Sequence, residues 1–405
     1  MTSHSSADQH VERRLHAGMG AGFRHERTSS LLLVLAAALS AFRGGQFQVS
    51  GGLIWADLVI VVLVASAAVG YRARRQWMPA GMIAGVGLIA VGLLIGSMFG
   101  EGNDSLAFWT EAPRDVLPPL AFAAAVSLHP VPAKYAVRMA WLVAVVGCMA
   151  VALLLLAEGD SRQSAFLSSS NYAGHFVITA WIVIASVWTR SRFVFSVVTG
   201  MFFFAVLRTG SFGALAGIIG LATYLLLAMW QPPSPLLRVA WRAVLLLGIL
   251  ATAVVSLQAI GQPDFDLGSG TNAQRFERSS SERLHIWQNS IEVGTENPFG
   301  LGYAEQVDGV SLQERLGAGE PHNDLLTMLV RGGVLAALGE VLVIVALWRL
   351  LPRASWSRAL LVFWFVTAMS RQTWNFRHFW LCLAIVFLVE EAQRFARQRS
   401  MEVAA

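Results

Sequence analysis

Pro321-His322-Asn323-Asp324 stands where a long polar stretch runs into an apolar one, and it is the combination in this chain best suited to acid–base chemistry. Proline suits the first position of a helix and Asp324 suits an early turn, so His322 is expected at a helix N-terminus. The positive end of the helix dipole disfavours imidazolium, leaving a neutral ring able to accept a proton. An interfacial histidine bonded to loop carbonyls is the equally open alternative. Arg283, Arg208, Arg331, Arg371 and Arg377 form a second group, arginines near or within apolar segments. A guanidinium is costly at such depth without a partner, so each is a site candidate, and arginines facing a cavity suit a diphosphate.

Each arginine also has a plainer role. Arg371 and Arg377 are expected to snorkel to the outer interface. Arg331 lies nine residues beyond His322, about 180° around an ideal helix, and two turns from Asp324 on the same face, so an ion pair with Asp324 explains it. Arg208, in the short turn Arg208-Thr209-Gly210-Ser211, either meets a ligand or caps the turn. Glu340 is the clearest intramembrane acid, about 27 Å from His322 along a straight helix and so toward the far end. No phosphate loop, metal-ligand pair at helical spacing or serine elbow is present.

The elements that must carry these residues are membrane helices. The 405 residues are 55% hydrophobic and 14% charged, and mean hydropathy is +0.57. No soluble fold hides that much apolar surface, and the runs are continuous rather than alternating, which selects helices over a barrel. The fold class is all-α: a polytopic membrane helix bundle of about twelve transmembrane helices with one large periplasmic loop. Apolar runs fall near 30–47, 52–70, 80–99, 112–128, 137–157, 171–188, 193–207, 211–230, 239–260, 322–348, 357–370 and 376–390, the seventh and eleventh being short. The organisation is a tail at 1–29, nine helices over 30–260, the loop 261–321, three helices over 322–390 and a second tail at 391–405.

Most of the 30 Lys and Arg residues fall on one side of this arrangement, while short links on the other carry acids, as in Glu101–Asp104. Both termini are therefore cytoplasmic, and loop 261–321 lies outside. The loop holds ten acids and four arginines, and a short helix is expected over Ser281–Gly294, ended by Asn297-Pro298. Gly81–Gly87 and Gly213–Gly220 suit close helix packing. The net charge of +5 is spread over short connections, which speaks against a nucleic-acid partner. Cys148 and Cys382 read as core residues, and the scattered histidines of the first 28 residues as part of a tail.

Four segments together resemble the O-antigen ligase and polymerase superfamily of bacterial membrane glycosyltransferases. They are Ser168-Ser-Ser-Asn-Tyr-Ala-Gly174, Arg208-Thr-Gly-Ser-Phe-Gly-Ala214, Arg283-Leu-His-Ile-Trp287 with Glu296-Asn-Pro-Phe-Gly-Leu-Gly302, and Pro321-His-Asn-Asp-Leu-Leu326 with Gly332-Gly333 beyond. The resemblance spans roughly 160–350. It implies a glycan donor linked to undecaprenyl diphosphate, a lipid A-core or other glycan acceptor, the lipid bilayer as surroundings, and no metal or cofactor. It makes His322 the base and Arg283 a diphosphate contact, with Arg208, Asn323, Arg331 and Asn171 as further substrate contacts. Phe212 stands where the family commonly has arginine, and Arg208 is the candidate substitute.

Within the family, Gly333 meets the ligase spacing after His-Asn, whereas Ala336 departs from it. Arg283 to Gly294 fits a polymerase spacing, but the outer loop at 158–170 is short for a polymerase. Ligase is the adopted reading, with an O-antigen or exopolysaccharide polymerase as the rival. A transporter of lipid-linked glycan is the rival from another class.

Overall fold

The computed structural model describes residues 53–74, 80–99, 105–127, 133–157, 169–188, 191–229, 271–304, 310–317, 323–369 and 371–404, with short pieces around 31–39, at 48–50 and 306–307, and isolated positions including Leu167 and Pro321. The described chain is overwhelmingly helical. The helices are α1 Trp55–Arg74, α2 Ala80–Phe99, α3 Ser105–Val126, α4 Ala133–Leu156, α5 Ser170–Val187, α6 Arg192–Thr209 and α7 Phe212–Tyr224. They continue as α8 Thr271–Glu296, α9 Leu312–Arg315, α10 Asp324–Leu350, α11 Trp356–Ala368 and α12 Arg377–Ala404. Two antiparallel pairs of very short strands, Gln48–Ser50 with Leu53–Ile54 and Gln306–Val307 with Val310–Ser311, are the strands among the described residues.

Five helices, α2, α4 from Lys134, α5, α6 and α10, are long and apolar enough to cross a membrane, which marks an integral membrane protein. The first and ninth expected spans lie almost wholly outside the described residues, as do residues 1–29. α5 and α12 form the centre: α5 is buried from Tyr172 to Val187 apart from Trp181, and α12 from its first residue through Val389. A helix apolar all round belongs inside a bundle. α6 is the opposite case, presenting Phe193, Phe204 and Leu207 outward.

Several boundaries differ from the sequence reading. α3 starts at Ser105, seven residues before the expected span, and holds Pro113, Pro118 and Pro119 inside. The helix expected over Ser281–Gly294 runs from Thr271 to Glu296, and it does end at Asn297-Pro298. The residues read as a second tail, 391–405, continue α12 as helix to Ala404.

α2 and α10 pack along most of their length on small residues, and α8 packs against α10. A Cβ on Gly85 would fall 2.7 Å from the Gly339 carbonyl oxygen, and one on Gly92 2.5 Å from that of Gly332. Without a hydrophobic drive between helices in lipid, such backbone approach is what holds two spans together. The glycine reading holds for Gly81 and Gly85, and for Gly217 and Gly220 against α11, but Gly87 faces open space.

α10 is not one helix. Gly333 takes φ 64° and ψ −161°, which breaks the hydrogen-bond ladder. In a continuous helix the carbonyls of Val330 and Arg331 would serve residues 334 and 335. Here the Leu301 N–H donates to Val330 at 2.8 Å, the Gly302 N–H donates to Arg331 at 2.7 Å, and the Val334 N–H reaches back to the Pro298 carbonyl at 2.9 Å. The Asn297–Gly302 turn is thus a plug that satisfies the broken helix, as buried backbone groups require. Gly300 and Gly302 also have positive φ, and a Cβ on Gly300 would strike the Arg331 carbonyl at 2.5 Å.

Candidate active site

The N-terminus of α10 is the best-braced part of the candidate site. Asn323 is its cap: its Oδ1 accepts the Leu326 N–H at 3.1 Å, and its backbone carbonyl accepts the Thr327 hydroxyl at 2.8 Å. Its Nδ2 meets the Met369 sulfur at 4.0 Å. Asp324 is buried and accepts three hydrogen bonds from the α11–α12 connection: the Thr373 N–H at 2.7 Å, the Thr373 hydroxyl at 2.8 Å and the Trp374 N–H at 3.0 Å. Asn323 and Asp324 therefore fix the chain from Met369 to Trp374 beside the helix end. His322 lies outside the described residues, between the buried Pro321 and this cap.

The same connection ties in further helices. The Trp374 indole N–H donates to the Asp115 carbonyl of α3 at 2.7 Å, and that of Trp380 to the Trp374 carbonyl at 2.8 Å. Arg377, expected to snorkel, is instead 1% exposed and forks onto Asp57 of α1, with Nε–Oδ1 at 2.6 Å and Nη2–Oδ2 at 2.8 Å. Two charges removed from water together hold better than one alone, and the fork matches a carboxylate.

Arg331 pairs with Asp115, not with Asp324 as its spacing suggested. Its guanidinium lies 3.6 Å from Asp115 Oδ2 and 5.1 Å from the centre of the Tyr303 ring. The Tyr303 hydroxyl donates to the same Asp115 oxygen at 2.8 Å. Burial, then the neighbouring Asp115 carboxylate, push the Tyr303 phenol far up, so it remains a donor. The Asp324 oxygens are already taken by Thr373 and Trp374, whereas α3 brings Asp115 to Arg331.

Glu340 follows Gly339, which packs on Gly85 and Ile89 of α2. The Glu340 carboxyl is 2% exposed, its Oε2 has no hydrogen-bond partner among the described residues, and it lies within electrostatic reach of Asp324 and Asp115.

α5 and the turn between α6 and α7 form the opposite wall. Asn171 is half-buried in the first turn of α5, whose cap is the Ser169 hydroxyl accepting the Tyr172 N–H at 3.2 Å. One turn on, Gly174 lies so close to the next segment that a Cβ would sit 2.8 Å from Ser211 Cβ and 3.0 Å from Thr209 Oγ1. In that segment Gly210 is left-handed at φ 58°, Thr209 Oγ1 accepts the Ser211 N–H, and Ser211 caps α7. Arg208 turns away and donates to the Ala157 carbonyl. The first and second sequence segments therefore meet. The α11–α12 connection joins them, since Phe376 packs on Tyr172 at 4.9 Å between ring centres and on His175 at 5.6 Å.

Arg283 is half-buried on α8, on the face that also buries Ile286, Ser290 and Val293, and Gly294 of that helix abuts Leu329 of α10. Burial lowers the Arg283 pKa. One turn along, the Trp287 indole N–H is buried with no hydrogen-bond partner among the described residues. Asn323 and Arg331 thus share one network at this end of the bundle, Asn171 meets the Thr209–Ser211 turn through Gly174, and Arg208 and Arg283 stand at its margins.

Sequence reasoning overlooked Asp57, Asp115, Tyr303 and His175. The first two were discoverable, since an acid at the edge of an apolar run needs a partner. His175 lay inside an apolar span and carried no pattern.

Residues 195–341 match the family model described as O-antigen ligase, a stretch running from α6 to Val341 and containing three of the four sequence segments. No curated protein and no solved structure matches the chain.

Proposed function

We propose that the chain, whose residues 195–341 match the O-antigen ligase family model, is a metal-independent membrane glycosyltransferase acting at the periplasmic face of the inner membrane. Its donor is a glycan on undecaprenyl diphosphate and its acceptor a hydroxyl of lipid A-core or a similar glycan. The observation that carries the reading is the convergence of Asn171, Thr209–Ser211 and Asn323–Asp324 around one connection, at the end of the bundle that the charge pattern puts outside. The full arrangement is about twelve spans with both termini cytoplasmic and loop 261–321 periplasmic.

In this mechanism His322 takes the proton of the acceptor hydroxyl, whose oxygen forms a bond to the anomeric carbon. The bond from that carbon to the diphosphate breaks, and its electron pair leaves with the diphosphate. Arg283 holds the departing charge, with Asn323, Asn171, Arg331 and Arg208 around the sugar and phosphates. One displacement inverts the anomeric centre. A diphosphate is already a good leaving group, so positioning and charge stabilisation supply the catalysis.

The test is the glycolipid profile of a strain lacking the gene, rescued by the wild type or by His322→Ala. Long chains stranded on undecaprenyl diphosphate over bare lipid A-core mean ligase; single repeat units on the core mean polymerase. One observation favours the transporter reading: Glu340 is an acid buried on a helix long and apolar enough to cross the membrane. If His322→Ala restored the profile while Glu340→Gln did not, the enzyme reading would give way to a carrier of lipid-linked glycan.

A further inference from the structure

From Arg283 onward α8 has three faces, and protein packing accounts for two of them. Ile286, Ser290 and Val293 are buried, with Val293 clustered on Leu301 and on Val330 of α10. A polar face is held by the segment around α9: Arg315 Nη2 donates to Glu296 at 2.6 Å, and Asn289 Nδ2 donates to the Arg315 carbonyl at 3.4 Å. The third face is apolar and open. Leu284 and Ile291, seven residues apart and so within about 20° of each other around the helix, are 44% and 51% exposed. We propose that this face rests on the lipid of the outer leaflet, so that α8 is a helix of the membrane interface and not of the water beyond it.

Continuity with a membrane span selects lipid as the occupant. α8 runs into the plug, whose tip Phe299 is 59% exposed and packs on Phe99 at 5.7 Å between ring centres. Phe99 is the last residue of α2, a helix long and apolar enough to cross the membrane, and with Met98 it faces outward from the bundle. Lipid is what meets such side chains at the end of a span. A Cβ on Gly96 would fall 3.2 Å from the Phe299 carbonyl oxygen, which seats the plug level with the last turn of α2. The open face of α8 therefore leads into a surface that lipid already covers.

The side chains around the stripe agree. An interfacial helix puts apolar residues into the headgroup–acyl boundary and keeps polar ones in water. Glu292 and Glu296 fall about 100° or more around the helix from Ile291, on the side of α9. Trp287, half-buried between the packed face and the stripe, is of the type that gathers at this depth. Left in water, a band of Leu, Ile and Phe would invite association. The contact fixes the depth of the helix that carries Arg283. The choice of leaflet follows from the charge pattern that puts this end of the bundle outside. Contact with lipid depends neither on that choice nor on glycan transfer.

The experiment places nitroxide labels on the full-length protein in nanodiscs of phosphatidylethanolamine and phosphatidylglycerol. Of the two native cysteines only Cys148 is exposed, so Cys148→Ala is the parent. Leu284→Cys, Ile291→Cys and Phe299→Cys are labelled singly, and Glu292→Cys samples the polar side of α8. Phe204→Cys on the outward face of α6 is the lipid reference, and Gln313→Cys on the exposed side of α9 the aqueous one. Collision with oxygen, which concentrates in lipid, is compared with collision with a water-soluble nickel chelate. Labels on Leu284→Cys, Ile291→Cys and Phe299→Cys should be oxygen-dominated and report about 5–10 Å of immersion. Those on Glu292→Cys and Gln313→Cys should be nickel-dominated. Nickel-dominated collision at both Leu284→Cys and Ile291→Cys would overturn the proposal even with Phe299→Cys immersed, because α8 would then lie in water. Shielding of both from oxygen and nickel alike would overturn it too, since protein and not lipid would cover the face. Each variant is read only if it melts like the parent. Should Leu284→Cys fail to fold, Ile291→Cys decides, and conversely.

Discussion

Replacing Gly333 by alanine tests whether the broken α10 is a requirement of the fold. At φ 64° and ψ −161° the residue occupies a region that only glycine enters freely, so a side chain costs about 1–3 kcal/mol in backbone strain. The added Cβ would also lie 2.2 Å from the Pro298 carbonyl oxygen, 2.5 Å from the Phe299 carbonyl carbon and 2.7 Å from the Gly300 nitrogen. All three are backbone atoms of the plug, which cannot rotate away as a side chain would. Overpacking of this kind adds about 1–3 kcal/mol. The expected total is a loss of about 2–6 kcal/mol, or displacement of the plug with loss of its three hydrogen bonds to α10. The matched control is Gly87→Ala, on the outer face of α2, where a Cβ meets nothing within 4 Å. There alanine should stabilise by up to about 1 kcal/mol, by relieving the entropy cost of a helical glycine. Melting in detergent and glycan transfer are compared for the two variants. If Gly333→Ala melts and transfers like Gly87→Ala, the break and its plug are incidental.

Asp57→Ala strands the Arg377 guanidinium in the bundle and should cost about 3–5 kcal/mol, whereas Asp57→Leu combined with Arg377→Met should melt well above either single variant. Equal melting of the single and double variants would mean that the pair contributes nothing as a pair. Asp324→Ala removes the acceptor of three hydrogen bonds from Thr373 and Trp374 and should cost at least about 2 kcal/mol. Hydrogen exchange should then rise across 371–376, and unchanged protection there would show that Asp324 does not hold the connection.

Part of the local structure at the candidate site was legible because its motifs are local. A proline, a capping Asn323 and Asp324 fall within four consecutive residues, and the structure makes a cap of them. Asn297-Pro298 stops α8 where a proline must. The role of the following Phe-Gly-Leu-Gly was not readable, because its glycines answer to carbonyls about thirty residues later. The arginines misled for a similar reason. Periodicity on a straight helix gave Arg331 to Asp324, but Thr373 and Trp374 occupy that carboxylate and Asp115 of α3 meets Arg331 instead. Hydropathy sent Arg377 to the interface, and a carboxylate 320 residues away drew it inside.

The sequence alone determined that the chain is built from membrane helices, since run length and apolar content leave the backbone no other way to satisfy itself in lipid. It also carried a resemblance to the O-antigen ligase and polymerase superfamily in four short motifs, three of which lie within residues 195–341 that match the family model. Tertiary structure decided which charges pair and where α10 breaks. Those outcomes depend on contacts between residues far apart in the chain, and in a low-dielectric bundle a charge takes whichever partner packing brings within reach.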